Sequence, residues 1–261
     1  MRRPSRPVLV AGLVVALLVA VAVVVAVVRW VSGPDKTIEV YADSSLRHAF
    51  ADLGTAFEEE HDVRVDLTVD SAGGLTEALT DEATPEVLAA ADPIGLFQVN
   101  GVLTGEPLVL AEDRLVLVVP RDNPGEIEQV RDLRGEPVAV CFINEACGRL
   151  AQLTLASARI EVERVVGADS AATMAAVLDG TADAGLVLAS EATAAGDDVE
   201  TFELPWADDR VSFPSISLLS GATDPAEGQE FIDFALGDAG QEILADHGLA
   251  SAENPHLQPE D

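Results

Sequence analysis

The sequence specifies an α/β protein of two lobes facing one cleft, and three observations carry that expectation. Ile38-Glu39-Val40-Tyr41 runs into the small polar turn Ala42-Asp43-Ser44-Ser45 and a helix, and Val63-Arg64-Val65-Asp66-Leu67 runs into Asp70-Ser71-Ala72-Gly73-Gly74 and another helix. The same order returns late, at Val138-Ala139-Val140-Cys141 before Ala146-Cys147-Gly148 and at Val165-Val166 before Asp169-Ser170-Ala171. Turn-like segments near Pro120 and Phe213 supply two crossings between the lobes. Strands alternating with helices argue for an α/β class. Each of the four turns places free backbone N–H groups and small polar side chains at a helix start, an arrangement that holds an oxyanion without a formal positive charge.

In chain order, Ile38–Tyr41 is a compact strand, and Leu46, Ala49, Phe50, Leu53, Ala56 and Phe57 recur at helical spacing, with Glu58-Glu59-Glu60 on the solvent side. Val63, Val65 and Leu67 alternate as a strand; Leu75, Ala78 and Leu79 begin a short helix; Thr84 to Asp92 reads as a buried strand ending in a polar turn. Leu115-Val116-Leu117-Val118-Val119-Pro120 is the strongest strand, and the break from Pro120 to Pro124 is read as the first crossing. Val130, Leu133 and Val138–Cys141 continue into the second lobe. Helices follow on Leu150, Leu153, Leu155 and Ala158, and on Met174, Val177 and Leu178 up to Gly180. Gly185-Leu186-Val187-Leu188 is a short continuous apolar strand of the kind found in a covered parallel sheet. The chain returns through Phe213–Leu219, and Phe231, Phe234, Ala235, Ile243 and Leu244 belong to C-terminal helices.

The N-terminus is of a different kind. Arg2, Arg3 and Arg6 precede an unbroken apolar run from Val8 to Val28, which as a helix spans about 31 Å, enough for a bilayer core. Arginines on the near side place the N-terminus in the cytoplasm and the remainder outside, with Arg29 and Trp30 at the far interface. A cleaved signal peptide is the competing reading, weakened by the length of the run and the lack of a small-x-small site after Val28. The expected organisation is therefore a cytoplasmic end at 1–7, a single transmembrane anchor at 8–30, a linker at 31–36, a first lobe at 37–118 and 213–255, a second at 119–212, and a tail at 256–261.

Net charge is −31 with a single lysine, Lys36, which speaks against nucleic acid and acidic lipid surfaces as partners. The same field repels an anionic ligand at long range, but it fades within about 8 Å at physiological salt, so short hydrogen bonds in a dry pocket can prevail. Cys141 and Cys147 are the only cysteines. In an exported domain they can pair, constraining the unfolded chain by about 2 kcal/mol; two buried thiols are the alternative.

Several strings, in their order and spacing from about Ile38 to Leu249, resemble the periplasmic molybdate-binding proteins of ABC importers, which have the two-lobed type II periplasmic-binding-protein fold. Ile38 to Leu46 is similar to that family's opening strand and Ala-Ala-Ser-Leu turn, and Asp70 to Leu75 to its second turn, Ser-Ser-Gly-x-Leu. Arg114 to Pro124 resembles the crossover strand, and Gly180-Thr181-Ala182-Asp183-Ala184-Gly185-Leu186-Val187 the Gly-x-Ala-Asp-Ala-Gly-(Ile/Leu)-Val string. Val138 through Gly148 resembles a subgroup with a Cys-x-x-x-x-Pro-Cys-Gly loop, here without the proline. The resemblance implies a monomer that closes by hinge motion on a small oxyanion, molybdate or tungstate with sulfate-like ions as competitors, and hands it to an ABC permease. It implies ligand contacts at Ser45, the backbone of Ala72, Cys147 and near Ser170, to which the adjacent Ser71 hydroxyl and the Gly73 N–H are added as expected contacts. It also implies two losses: Ala72 stands where the family has a second-turn serine, and Leu188 where it has a tyrosine. Two missing hydrogen bonds to a charged group cost about 3 to 6 kcal/mol, or about two to four decades in affinity.

The remaining candidates read as structural. His48, His61, His247 and His256 share no metal-ligand spacing, so neither a metal nor a cofactor is expected. Asp43, Asp70, Asp92 and Asp169 end predicted strands, where caps and turn formers are the ordinary role, against a cation site or a set of acids. Asp43 replaces a small residue of the family turn and would repel an anion if it pointed inward. No nucleophile elbow, P-loop or metalloprotease motif occurs, so no enzyme is expected. Two other readings stand beside the importer: a membrane-anchored binding fold that has lost transport and acts as a sensor or interaction module, and, with least support, a hydrolase using the aspartates.

Overall fold

A computed structural model of the chain describes residues 36–80, 84–97 and 99–252. The expected anchor at 8–30, its cytoplasmic flank, the linker before Lys36 and the tail lie outside the described residues. Among the described residues no helix is long and apolar enough to cross a membrane.

Two sheets organise the molecule. The first has the order β2-β1-β3-β11-β4, built from β1 (Lys36–Asp43), β2 (Val63–Asp70), β3 (Val87–Ala90), β4 (Leu103–Val109) and β11 (Ser215–Leu219). β1 runs parallel to β2 and β3, and β11 is antiparallel to β3 and β4. The second has the order β10-β5-β8-β6-β7, with β9 also on β5; its strands are β5 (Asp113–Pro120), β6 (Pro137–Cys141), β7 (Glu163–Gly167), β8 (Ala184–Leu188), β9 (Val199–Phe202) and β10 (Val211–Ser212). The helices are α1 (Arg47–Glu60), α2 (Ala72–Thr80), α3 (Pro93–Phe97), α4 (Ala146–Ala158), α5 (Ser170–Leu178), α6 (Ala189–Ala195), α7 (Pro225–Leu236) and α8 (Asp238–Asp246).

Each sheet is covered on both faces, which is why its strands read as apolar runs. In the first lobe, Ile38, Val40 and Ala42 turn to one face and pack with Phe50, Leu53 and Phe57 of α1 and Phe231 and Ile232 of α7. The Phe57 ring meets Phe231 edge-on at 5.3 Å and Phe234 at 5.6 Å, while His61 stacks on it at 4.3 Å. Leu75, Leu88, Ala90, Leu96 and Leu219 fill the other face. In the second lobe β5 divides by period two: Leu115, Leu117 and Val119 go to one core, Val116 and Val118 to the other.

One boundary is corrected. β5 pairs with β8 and β9 and belongs wholly to the second sheet. The chain therefore leaves the first lobe at Leu110–Glu112, and the Pro120 to Pro124 break is a turn inside the second. It returns through Phe213-Pro214, between β10 and β11. The two connections are bonded to each other through Leu110 N–H to the Pro214 carbonyl at 2.7 Å, and Glu112 forms a bridge with Ala250. Leu110 and Ala111 are buried in the first lobe's core, so this passage carries no polar or glycine-rich signature.

Candidate functional site

All four strand–turn–helix junctions read from the sequence exist, and each carries an aspartate or glutamate. All four strand-end aspartates accept an N–H of their own turns, and three of them are not buried. Asp169 Oδ1 accepts from Ala172 N–H at 2.8 Å at the start of α5, and Asp92 Oδ1 from Gly95 N–H at 3.1 Å at the start of α3. Asp70 Oδ1 accepts from Ser71 N–H at 2.7 Å, and Ser71 Oγ in turn accepts from Gly74 N–H at 3.2 Å, capping α2. Asp70 lies so close over Gly74 that a Cβ there would meet its carboxylate at 2.3 Å.

Asp43 behaves differently. It is buried, and its Oδ1 accepts both the Ser45 N–H at 3.0 Å and the Ser45 Oγ–H at 2.9 Å. The hydroxyl that the family resemblance gives to a ligand is thus already donated to a neighbouring carboxylate. Among the described residues neither Asp43 Oδ2 nor the buried Ser44 Oγ has a partner. Burial raises the Asp43 carboxyl above the usual range, opposed by the two Ser45 bonds and assisted by the negative charge of Asp169.

The second lobe contributes a residue that sequence reading passed over. Glu145 occupies the N-cap position of α4 yet makes no cap bond there. Its side chain is buried, within reach of the start of α2 in the opposite lobe. Burial first, then the field of Asp43, push it up to about 7; Asp169 and Asp70 add to the rise and the Ala72 amide works against it. The only sequence signal was a poor capping residue standing where a helix plainly begins. Behind it, Cys141 and Cys147 form a disulfide. Ser170 Oγ donates to Cys147 Sγ at 3.3 Å, which holds the starts of α4 and α5 together. Gly148 is required in this turn, because a Cβ would lie 2.1 Å from the Phe142 carbonyl oxygen.

The candidate residues therefore divide. Ser45, Ala72, Cys147 and Ser170 lie at the junctions whose acidic groups act on one another across the cleft. Ser71 is engaged in capping, and Gly73 is exposed at the first turn of α2. Leu188 is buried in the second lobe's core beside Leu115 and Leu117.

Two ion pairs and a hydroxyl join the lobes across this cleft. Arg47 of α1 holds both oxygens of Glu191 of α6, at 2.9 and 3.1 Å. Arg149 of α4 pairs with Asp92. Ser190 Oγ donates to buried Asp113 at 2.6 Å and lies 3.4 Å from the Ser45 carbonyl. Burial pushes both Glu191 and Asp113 up to about 7, against the Arg47 charge at the first and the Ser190 hydroxyl at the second. The cavity beside Asp43, lined by Ala72, Leu75, Thr76 and Leu88, is about 10 Å³, room for no more than a water. The cleft is closed, rich in carboxyl groups, and bridged by two arginines that already have partners. Among the described residues no group of three or more His, Cys, Asp or Glu is placed to hold a metal ion.

This architecture has known counterparts. The profile of the family described as bacterial extracellular solute-binding protein matches residues 38–250. The chain belongs to this family. It is 31% identical over 221 residues to the molybdate-binding protein ModA of Mycobacterium tuberculosis, covering 82% of this chain and 85% of that one. Among solved structures it superposes on the sulfate-binding protein SubI of M. tuberculosis H37Rv with a TM-score of 0.73 at 14% identity, over 84% of this chain and 88% of that one. The periplasmic molybdate-binding protein of Azotobacter vinelandii gives 0.70 at 14% identity, over 83% of this chain and all of that one. As a family member the protein has a solute-binding role, and the two-sheet α/β fold of periplasmic binding proteins is shared with these structures. It diverges from the resemblance at the ligand contacts: Ala72 and Leu188 lack hydroxyls, and Ser45 is turned to Asp43.

Proposed function

We propose that this protein is the solute-binding component of an ABC importer and that its ligand is a small tetrahedral oxyanion, with molybdate or tungstate first and sulfate-like ions as competitors. One observation carries the reading: helix starts from both lobes gather at the cleft, the first-lobe turn Ser44–Leu46 packing on α5 and the starts of α4 and α5 lying together through Cys147 Sγ and Ser170 Oγ at 3.3 Å. Helix starts that share a cleft offer their N–H groups to an anion. The 31% identity to ModA supports molybdate over other oxyanions. The ligand would take the Ala72 and Gly73 N–H groups, Ser45, Ser71, and the helix starts at Cys147 and Ser170, entering when the lobes part about Leu110–Glu112 and Phe213-Pro214. The apolar run at 8–30 would tether the binding domain at the extracytoplasmic face, beside its permease.

A second reading, a binding fold that has lost transport and serves as a sensor or interaction module, is favoured by Ser45 being engaged with Asp43. Thermal melting separates binding from its loss. Millimolar molybdate, tungstate or sulfate is expected to raise the Tm, since ligand at 100 times Kd adds about 2.7 kcal/mol. No shift with any of the three, at acid or neutral pH, overturns the oxyanion assignment and leaves the second reading.

A further inference from the structure

We propose that Arg47, Ser190 and Glu191 form an interlobe clamp that gates solute exchange: it closes the lobes on each other through protein–protein bonds, and so sets how fast a solute enters and leaves rather than how tightly it is held. Arg47 and Glu191 are positioning residues in this scheme, and neither touches the solute. The inference rests on the solute-binding role of the family, and its kinetic arm on the oxyanion reading.

The first ground is geometry. Arg47 begins α1 in the first lobe, directly after the Ser44–Leu46 turn, and Glu191 lies in the first turn of α6 in the second. The guanidinium meets both carboxylate oxygens, at 2.9 and 3.1 Å, and the Glu191 side chain is 2% exposed. A two-pronged pair out of solvent is directional, and parting it strands a buried charge. One residue away, Ser190 Oγ lies 3.4 Å from the Ser45 carbonyl, while the Ser190 N–H and hydroxyl are anchored on Asp113 at 3.2 and 2.6 Å. The turn that carries the candidate contact Ser45 also packs on α5 and α6. Two consecutive residues of the second lobe therefore hold that turn of the first.

The second ground is what the clamp distinguishes. Every one of these bonds has protein at both ends, and so has the second interlobe pair, Arg149 of α4 with Asp92. Loaded and unloaded closed forms gain from them alike, and an interaction that two states share moves neither against the other. What the clamp does shift is the balance of closed against open, and with it the rate at which the cleft admits or frees a solute.

Arg47→Met/Glu191→Gln tests this. One positive and one negative charge go together, so net charge is kept and a faster entry does not come from electrostatic steering. Stopped-flow binding of molybdate to the full chain should show entry and release both about tenfold faster in this variant, with Kd within about threefold of the parent's. A role confined to stability would leave entry at the parent rate, and that result overturns the proposal. Spin labels at the exposed sites Glu59→Cys and Asp197→Cys, one in each lobe, read the gate with no anion added. The parent should give one short separation, the paired variant a second, longer one, and addition of Arg149→Met a larger share of the longer. A parent already at the longer separation, or a variant lacking both ion pairs that keeps the short one, also overturns it. Should molybdate, tungstate and sulfate all fail to bind, the oxyanion reading falls, and the label separations decide the clamp alone.

Discussion

The helix starts at Asp70 and Asp169 and those at Asp43 and Glu145 are built from the same strand–turn–helix unit, yet their acidic groups end in different surroundings. Asp70 and Asp169 bond to amides of their own turns, and Asp169 sits as an ordinary cap on α5. Asp43 also accepts an amide of its own turn but is buried with its other oxygen bare, and Glu145 is buried at the start of α4 without capping it. The difference teaches that an acid at a helix start stabilises locally when solvent shares its charge, and becomes a constraint on the whole molecule when it does not. Local caps can be read one turn at a time, whereas the buried acids have meaning only with both lobes in place.

Three expectations break or sharpen that contrast. Among single substitutions the largest effect should follow Arg47→Ala, which leaves Glu191 buried at the lobe interface without its counter-charge; a loss of about 3 kcal/mol in urea unfolding is expected, and a loss below about 1 kcal/mol would make the pair an ordinary surface contact. A change of pH acts on three groups at once. Glu145, Glu191 and Asp113 are all raised to about 7, so the folded state binds protons that the unfolded chain, with carboxyls near their usual values, has released. The stabilisation is full below the unfolded values and is lost as pH rises through 7, by about 1.4 kcal/mol per pH unit for each group that titrates. Tm should therefore fall between about pH 5 and pH 8, and Asp113→Asn should flatten part of that slope; a Tm that rises over this range contradicts the burial of these acids. The smallest effect is Asp169→Ala, which removes one cap bond and should cost about 1 kcal/mol, while the loss of a negative charge that helps raise Glu145 and Glu191 should make the pH slope shallower.

Much of the architecture was legible. Ile38–Tyr41 and Val63–Leu67 fall inside β1 and β2 because their apolar residues alternate, and Leu115–Pro120 falls inside β5 because it is a short, β-branched apolar run that ends at a proline. β4 was not legible. No strand is read between Asp92 and Arg114, and Gly105 and Pro107 interrupt the apolar pattern there; β4 is an edge strand paired only with β11, a place where a missing N–H is tolerated. The first crossing was misplaced for a related reason. Leu110 and Ala111 pass between lobes while packed in the first core, so the true boundary is apolar and the visible proline-rich break lies elsewhere.

Of the candidate site, the four junctions and the inward threat of Asp43 were in the sequence, and so was the cysteine pair, now joined. Periodicity, turn chemistry and the acidic excess follow from neighbouring residues, so the chain alone determined the α/β class, the helix starts and the surplus of carboxyl groups. Only the tertiary structure decided which of those carboxyls lose their water. Arg47 meets Glu191, Arg149 meets Asp92, and Ser190, bonded to Asp113 in its own lobe, reaches Ser45 because the lobes close on each other. Charge that is harmless in solvent becomes a proton reservoir once it is buried, and burial is a property of the closed pair of lobes.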